Sequence, residues 1–295
     1  MAPLPDRAGL ITLAGVLLST ASSEAKPMAR IPPNLTGVRE TMLWTLHNRA
    51  GQAKLPNGIL RDLKAVEIYE ALEYDYEGSF GKAEPSHAFR AVFFDNELRV
   101  FLKDHPDGVI VNLGEGLETQ RFRVEGDEAL WLCVDLPDAI AIRERFIKPD
   151  ERHRHLAMSA LDRGWFDAVP ERRAVYITAQ GLLMYFTPEE VKRLIGDMAA
   201  RFPKARLCFD HIPQWLSKKT LKGWRKGRNY VTPEMPWGIN HCDIEPTLRG
   251  WAAVERAETF PYRFEWGWQG RVFNGLMSVA WLRNRSPGMT CVRFA

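Results

Sequence analysis

The sequence lacks the features that would set it apart from ordinary globular proteins. Its four cysteines, Cys133, Cys208, Cys242 and Cys291, stand far apart with no C-x-x-C pair. That argues against a thiolate metal knuckle or a dense disulfide frame, and they read as reduced core thiols. His153 with His155, and His241 with Cys242, find no third and fourth ligands at usable spacing, so no metal is expected. A formal net charge of +3 on 295 residues is too small for nucleic-acid binding through a bulk field. There is no internal repeat and no low-complexity linker. The apolar stretch from Ala8 to Leu18 falls short of the roughly 20 residues a membrane-spanning helix needs. With small residues following, it imitates a secretory signal. The preferred reading is a disordered tail, with a translated leader before Met28 as the competitor. The composition that remains, 45% hydrophobic and 26% charged, is that of a globular domain with additions.

What the chain does have is a strand followed by a glycine turn. Val109, Ile110, Val111 and Leu113 form a β-branched apolar run that ends at Gly114 and Gly116. Leu117, Phe122 and Val124 then suit a helix, so the expected unit is strand, turn, helix, with helix N–H groups aimed at a ligand. A dinucleotide fingerprint would place a third glycine where Thr119 stands, which disfavours an NAD-linked oxidoreductase. A second apolar run, Leu130 to Val134, ends at Asp135, about twenty positions past the turn, where a carboxylate can take both hydroxyls of a ribose. The competing reading is an ordinary βαβ turn with Asp135 capping the next helix.

Either side of this unit the chain alternates. Helices are expected from Thr36 to Ala50, Ala65 to Tyr74 and Ser86 to Asp104, the last carrying Arg90. Beyond Asp135 come a short helix from Ala139, a strand from Ala174 to Ala179, and a helix opened by Thr187 and Pro188. A strand from Arg206 to Asp210 follows, with His211 at its end. Alternation at this spacing means an α/β fold with a mostly parallel sheet covered on both faces, whose ligands bind outside the carboxyl ends of the strands.

Several of these residues together carry a resemblance. Val111 to Thr119, Phe122-Arg123, Val134 to Pro137, Ser159 to Asp162 and Gly181-Leu182-Leu183-Met184-Tyr185 resemble the leucine carboxyl methyltransferase superfamily, and within it the tetracenomycin-type polyketide O-methyltransferases. The resemblance covers Leu35 to Phe294. It implies a class I methyltransferase fold, Rossmann-like, with a seven-stranded sheet, an N-terminal helical cap and a lid insertion. It also implies S-adenosylmethionine as cofactor. The division that follows is a tail over 1–33, a cap over 34–104, a cofactor-binding core over 105–212, a lid over 213–246 and completion of the sheet over 247–295. The resemblance assigns Asn112, Gly114 and Gly116 to the cofactor turn, Asp135 and Leu136 to the ribose, and Leu161 and Asp162 to the adenine. Arg90 falls to the cofactor carboxylate, with Arg49 as a second basic residue that can equally be a solvated helix charge. The family has Glu before Gly-Leu-Leu-Met-Tyr, and here Gln180 stands, able to hydrogen-bond but without charge.

Methyl transfer from a sulfonium is an in-line displacement in which alignment outweighs acid–base work. A carboxylate acceptor is ionised at pH 7 and needs no base; a phenol would profit from one, and His211 is the candidate, although a structural histidine is the favoured reading. The expected activity is O-methylation of a small, aromatic or polyketide-like acid in the cytoplasm, with a catalytically silent cofactor-binding protein as the alternative. From Gln214 to Arg228 stand Lys218, Lys219, Lys222, Arg225, Lys226 and Arg228 with no acidic residue. That segment reads as a solvated helix, a lid that attracts an acidic substrate, or a contact with an anionic membrane surface. Oligomeric state is not legible.

Overall fold

Strand β1 (Val109–Leu113) lies inside a sheet and pairs in parallel on both its sides. The computed structural model describes residues 30–264 and 267–295; the signal-like stretch lies outside them. The other strands are β2 (Leu130–Asp135), β3 (His153–Ala157), β4 (Val175–Ala179), β5 (Arg206–His211), β6 (Val254–Pro261) and β7 (Gly288–Phe294). Their order is β3-β2-β1-β4-β5-β7-β6, with β7 antiparallel to both neighbours. This is the class I methyltransferase sheet, Rossmann-like with a reversed strand inserted near one edge. Residues of β1 and β4 are buried throughout, as both faces of a parallel sheet must be.

The two faces are covered by different helices. Val109, Val111, Val134, Ile177 and Leu207 pack with α6 (Pro188–Arg201) and α8 (His241–Trp251). Ile110, Trp131, Tyr176 and Cys208 face Phe94, Leu98 and Phe101 of α4 (Ser86–Asp104). Helix α6 begins where its sequence says: Thr187 accepts from Glu190 N–H and the Glu190 side chain returns to Thr187 N–H, a capping box with proline behind it. Helices α1 (Thr41–Ala53), α2 (Leu63–Ala71) and α3 (Tyr76–Phe80) bury Leu43, Leu46, Ile68 and Phe80 in a separate cluster with Leu117. Short α5 (Pro137–Arg143) follows β2, α7 (Gln214–Thr220) follows β5, and α9 (Gly267–Ser278) with α10 (Ala280–Asn284) joins β6 to β7.

Four expectations are corrected. No α-helix follows the glycine turn: the segment makes only a 3-10 turn, Gln120–Phe122. Leu117 joins the α1 cluster and Val124 joins the α4 cluster, so the two apolar residues point into different cores and share no helical face. Strand β3 does not read as a strand in the sequence, because His153, Arg154 and His155 leave it too few apolar residues. The thiols are not all reduced: Cys208 and Cys291, opposite each other in the β5–β7 register, form a disulfide, while Cys133 and Cys242 are free. In the basic insertion only Gln214–Thr220 is helical.

Candidate active site

The carboxyl ends of β1, β2 and β4 open into a cavity of about 250 Å³, roofed by the start of α1. Its wall includes Asn112, Gly114, Gly116, Asp135, Leu136 and Gln180, together with Arg90 from α4. Gly114 and Gly116 have φ of +62° and +51°, the left-handed region that glycine occupies at little cost. A Cβ on Gly114 would lie 2.7 Å from Leu182, so the turn is pressed against the one after β4. Asp135 is fixed by backbone: one oxygen accepts from Gly116 N–H at 2.7 Å and the other from Leu136 N–H at 2.7 Å. Burial pushes its carboxyl above the usual range, against the pull of those two bonds.

Arg90 reaches the cavity across the sheet edge. Its Nη1 donates to Asp210 at 2.8 Å, and the other oxygen of Asp210 accepts from Gly181 N–H at 2.5 Å. Burial opposes the charge on Arg90, and Asp210 restores it, so the guanidinium stays protonated. Gly181, at φ +65°, lies under that side chain: a Cβ there would meet Nη1 at 2.9 Å. Glu115 of the wall pairs with Arg143 at 2.9 Å, whereas three other buried polar atoms of lining residues have no hydrogen-bond partner: Asn112 Oδ1, Gln180 Oε1 and Arg90 Nε. In a folded protein such atoms ordinarily have partners, and these three belong to residues that line the cavity.

Other expected residues lie elsewhere. Arg49 does not line the cavity; its Nη1 donates to Asp62 and Thr119 and its Nη2 to the Leu117 carbonyl, each at 2.7 Å. It is neither a solvated charge nor a free cation for a cofactor. Asp62, Asp95, Glu118 and Arg123 complete a buried ionic cluster around it. Asp162 caps the 3-10 turn Arg163–Ala168 by accepting from Gly164 N–H, and Leu161 packs on the main core; Ser159 and Ala160 take the wall instead. His211 is also absent from the wall. It is buried beside Thr290, with its ring edge-on to His241 at 4.9 Å, and burial followed by His241 holds it well below the usual imidazole range. Sequence reasoning passed over Thr41, Met42 and Thr45, which line the roof, and Tyr185, whose hydroxyl burial pushes up to about 12. The signal was available: Thr41 and Thr45 are four apart, a polar pair on one helix face.

The family model described as leucine carboxyl methyltransferase matches residues 48–199, a span that holds the whole turn, Asp135 and Gln180. The chain belongs to this family. Over 184 residues it is 31% identical to the tetracenomycin polyketide synthesis O-methyltransferase TcmP of Streptomyces glaucescens, covering 61% of this chain and 68% of that one. Over 186 residues it is 27% identical to the S-adenosyl-L-methionine-dependent methyltransferase dpfgK of Gibberella zeae, covering 57% of this chain and 62% of that one. Among solved structures, the N-methyltransferase NodS of Bradyrhizobium japonicum with S-adenosyl-L-homocysteine aligns at 12% identity and a TM-score of 0.46, covering 72% of this chain and 88% of that one.

Proposed function

We propose that this leucine carboxyl methyltransferase family member is an S-adenosylmethionine-dependent O-methyltransferase of a small, aromatic or polyketide-like acid. The observation that carries the cofactor site is the convergence of Asp135 with the unpartnered Asn112 Oδ1, Gln180 Oε1 and Arg90 Nε on one cavity. The donor set fits the cofactor: a carboxylate for ribose hydroxyls, a guanidinium for a carboxylate, amide oxygens for N–H groups, and a glycine turn that allows close backbone approach. When bound, S-adenosylmethionine supplies a methyl carbon activated by its positive sulfur. Asp135 holds the ribose, Leu136 flanks it, and Arg90, aimed by Asp210, takes the carboxylate. Gln180 accepts a hydrogen bond from the amino end. Thr41, Thr45, Tyr185 and Phe186 form the acceptor side under α1.

The carboxylate reading is supported by the ionisation of the wall. Tyr185 stays a neutral hydroxyl, Arg90 stays charged, and burial keeps His211 neutral outside the wall. A carboxylate acceptor arrives ionised and asks only for alignment. The S. glaucescens relative, named for polyketide O-methylation, supports the aromatic class. Gln180 in the family's glutamate position favours a second reading, a cofactor-binding protein without turnover. Calorimetric titration with S-adenosylhomocysteine and with NAD, followed by a methylation screen of aromatic acids against their hydroxyl analogues, tests both. Tight binding of the first ligand only, with methyl ester formed, is expected. Binding with no turnover on any acceptor would favour the silent protein, and NAD binding would overturn the cofactor assignment.

A further inference from the structure

Away from the cavity, α9 and α10 present an apolar stripe to solvent. Trp268, Val272 and Leu276 recur at four-residue spacing along α9, and Val279 and Trp281 continue the exposed run. Trp268 is 67% exposed and Trp281 63%, values rare for the largest apolar side chain. The orientation is fixed from behind. Asn274 accepts from Phe264 N–H at 2.9 Å and donates to its carbonyl at 3.0 Å, Phe273 packs edge-on against Phe264, and Gly270 lies so close to Phe264 that a Cβ would clash. Helix α10 is held in turn by Asn284, which accepts from Cys242 N–H. The stripe therefore cannot roll inward without breaking these contacts.

The same face is basic. Arg271, Arg283 and Arg285 flank the stripe, and the Arg285 guanidinium lies 4.5 Å from the centre of the Trp281 ring. Trp215 of α7, half exposed, donates from its indole to the Arg285 carbonyl at 2.8 Å. That bond joins the exposed Lys218 and Lys219 of α7 to the patch. From Thr259 to the last residue the sequence has five arginines and one acidic residue, Glu265. Indole rings beside cations on an amphipathic helix suit the boundary between headgroups and acyl chains, where the ring is half in each and the charge meets phosphate.

We infer that the α9–α10 face, with the exposed side of α7, is a docking surface for an anionic lipid bilayer. A second copy of the chain fits less well, because a two-fold interface sets the patch against itself and brings arginine to arginine. Among the described residues no helix is long and apolar enough to cross a membrane, so the contact is peripheral. The connection leaves β6 at Pro261 and enters β7 at Gly288, which pairs with His211 at the carboxyl end of β5. Both ends of the connection therefore lie at the carboxyl end of the sheet, the end on which the cavity opens.

The test is co-sedimentation of the full chain with phosphatidylcholine vesicles, with and without phosphatidylserine, across salt. Binding to the anionic vesicles alone, weakening as salt rises, is expected. Trp268→Ser with Trp281→Ser should weaken it at least tenfold, and Arg271→Gln with Arg283→Gln roughly thirtyfold, at about fivefold per charge. Both variants change exposed side chains and should keep the melting temperature and the S-adenosylhomocysteine affinity of the parent. Three results would overturn the inference: no binding to anionic vesicles, binding as tight to a polyglutamate chain as to the vesicles, or a solution dimer that the tryptophan variant dissolves.

Discussion

Asp135 carries its charge against a burial cost, and two backbone N–H groups are what hold it there. Its side chain is therefore already aimed before any ligand arrives. Asp135→Ala should weaken S-adenosylhomocysteine binding by about 1.5–3 kcal/mol, the range for hydrogen bonds to charged groups, as read by calorimetric titration. Because its folded pKa is raised, affinity should also fall as pH drops towards that raised value, and Asp135→Asn should remove the dependence. An unchanged dissociation constant in a folded Asp135→Ala protein would remove the residue from the site. The sequence disclosed Asp135 because strand, turn and acid lie within one local unit. His211 agrees with its favoured structural reading, but the sequence does not show why: a position at a strand end says at which end of the sheet a residue lies and nothing of what covers it. Here Thr290 and His241, both distant in sequence, enclose it. His211→Asn should leave the turnover number nearly unchanged, whatever it does to stability.

At the scale of elements, side-chain charge does what helix periodicity was expected to do after the glycine turn. Arg49 of α1, Asp62 at the start of α2 and Asp95 of α4 converge with Arg123 on Glu118, and thereby pin the loop between β1 and β2 to three helices. The sequence shows α4 at its observed bounds, Ser86–Asp104, and α1 and α2 with shifted ends, since apolar spacing is local. It could not show the convergence, which joins residues as far apart as Asp62 and Arg123. Arg49→Gln leaves Arg123 as the one cation for three buried carboxylates and should cost about 3–5 kcal/mol in chemical denaturation. Glu118 adds a pH signature. Burial works against its charge, but Arg123 and Arg49 win and hold it at about 2, below its ordinary 4.5. A carboxylate depressed in the folded state stabilises fully above its unfolded pKa, and the gain is lost as pH falls from about 4.5 towards about 2. Glu118→Gln should flatten that part of the acid-denaturation curve, although Asp95, raised by burial, contributes with the opposite sign in both proteins.

Over the whole molecule, a seven-stranded sheet delivers three strand ends and a glycine turn to one cavity, where the start of α1 meets them. Its parallel centre was legible because buried parallel strands are continuous apolar runs; polar β3 at the edge was not. The assembled wall fixes the last prediction. Glu118 titrates near 2, Tyr185 near 12, and Arg90 above its ordinary value, so these wall charges do not change between pH 6 and 9. A carboxylic acid with a pKa of about 4 is also fully ionised over that span. Its kcat should then be nearly level from pH 6 to 9, measured with saturating S-adenosylmethionine. A phenolic analogue with a pKa of about 10, given no base, should gain roughly tenfold per pH unit as its ionised fraction grows. A phenol methylated fast and at a level rate from pH 6 to 9 would mean that the site itself removes the proton. The acceptor would then be a hydroxyl, and the base would have to be sought among groups that the closed, acceptor-bound site brings to Thr41 and Tyr185.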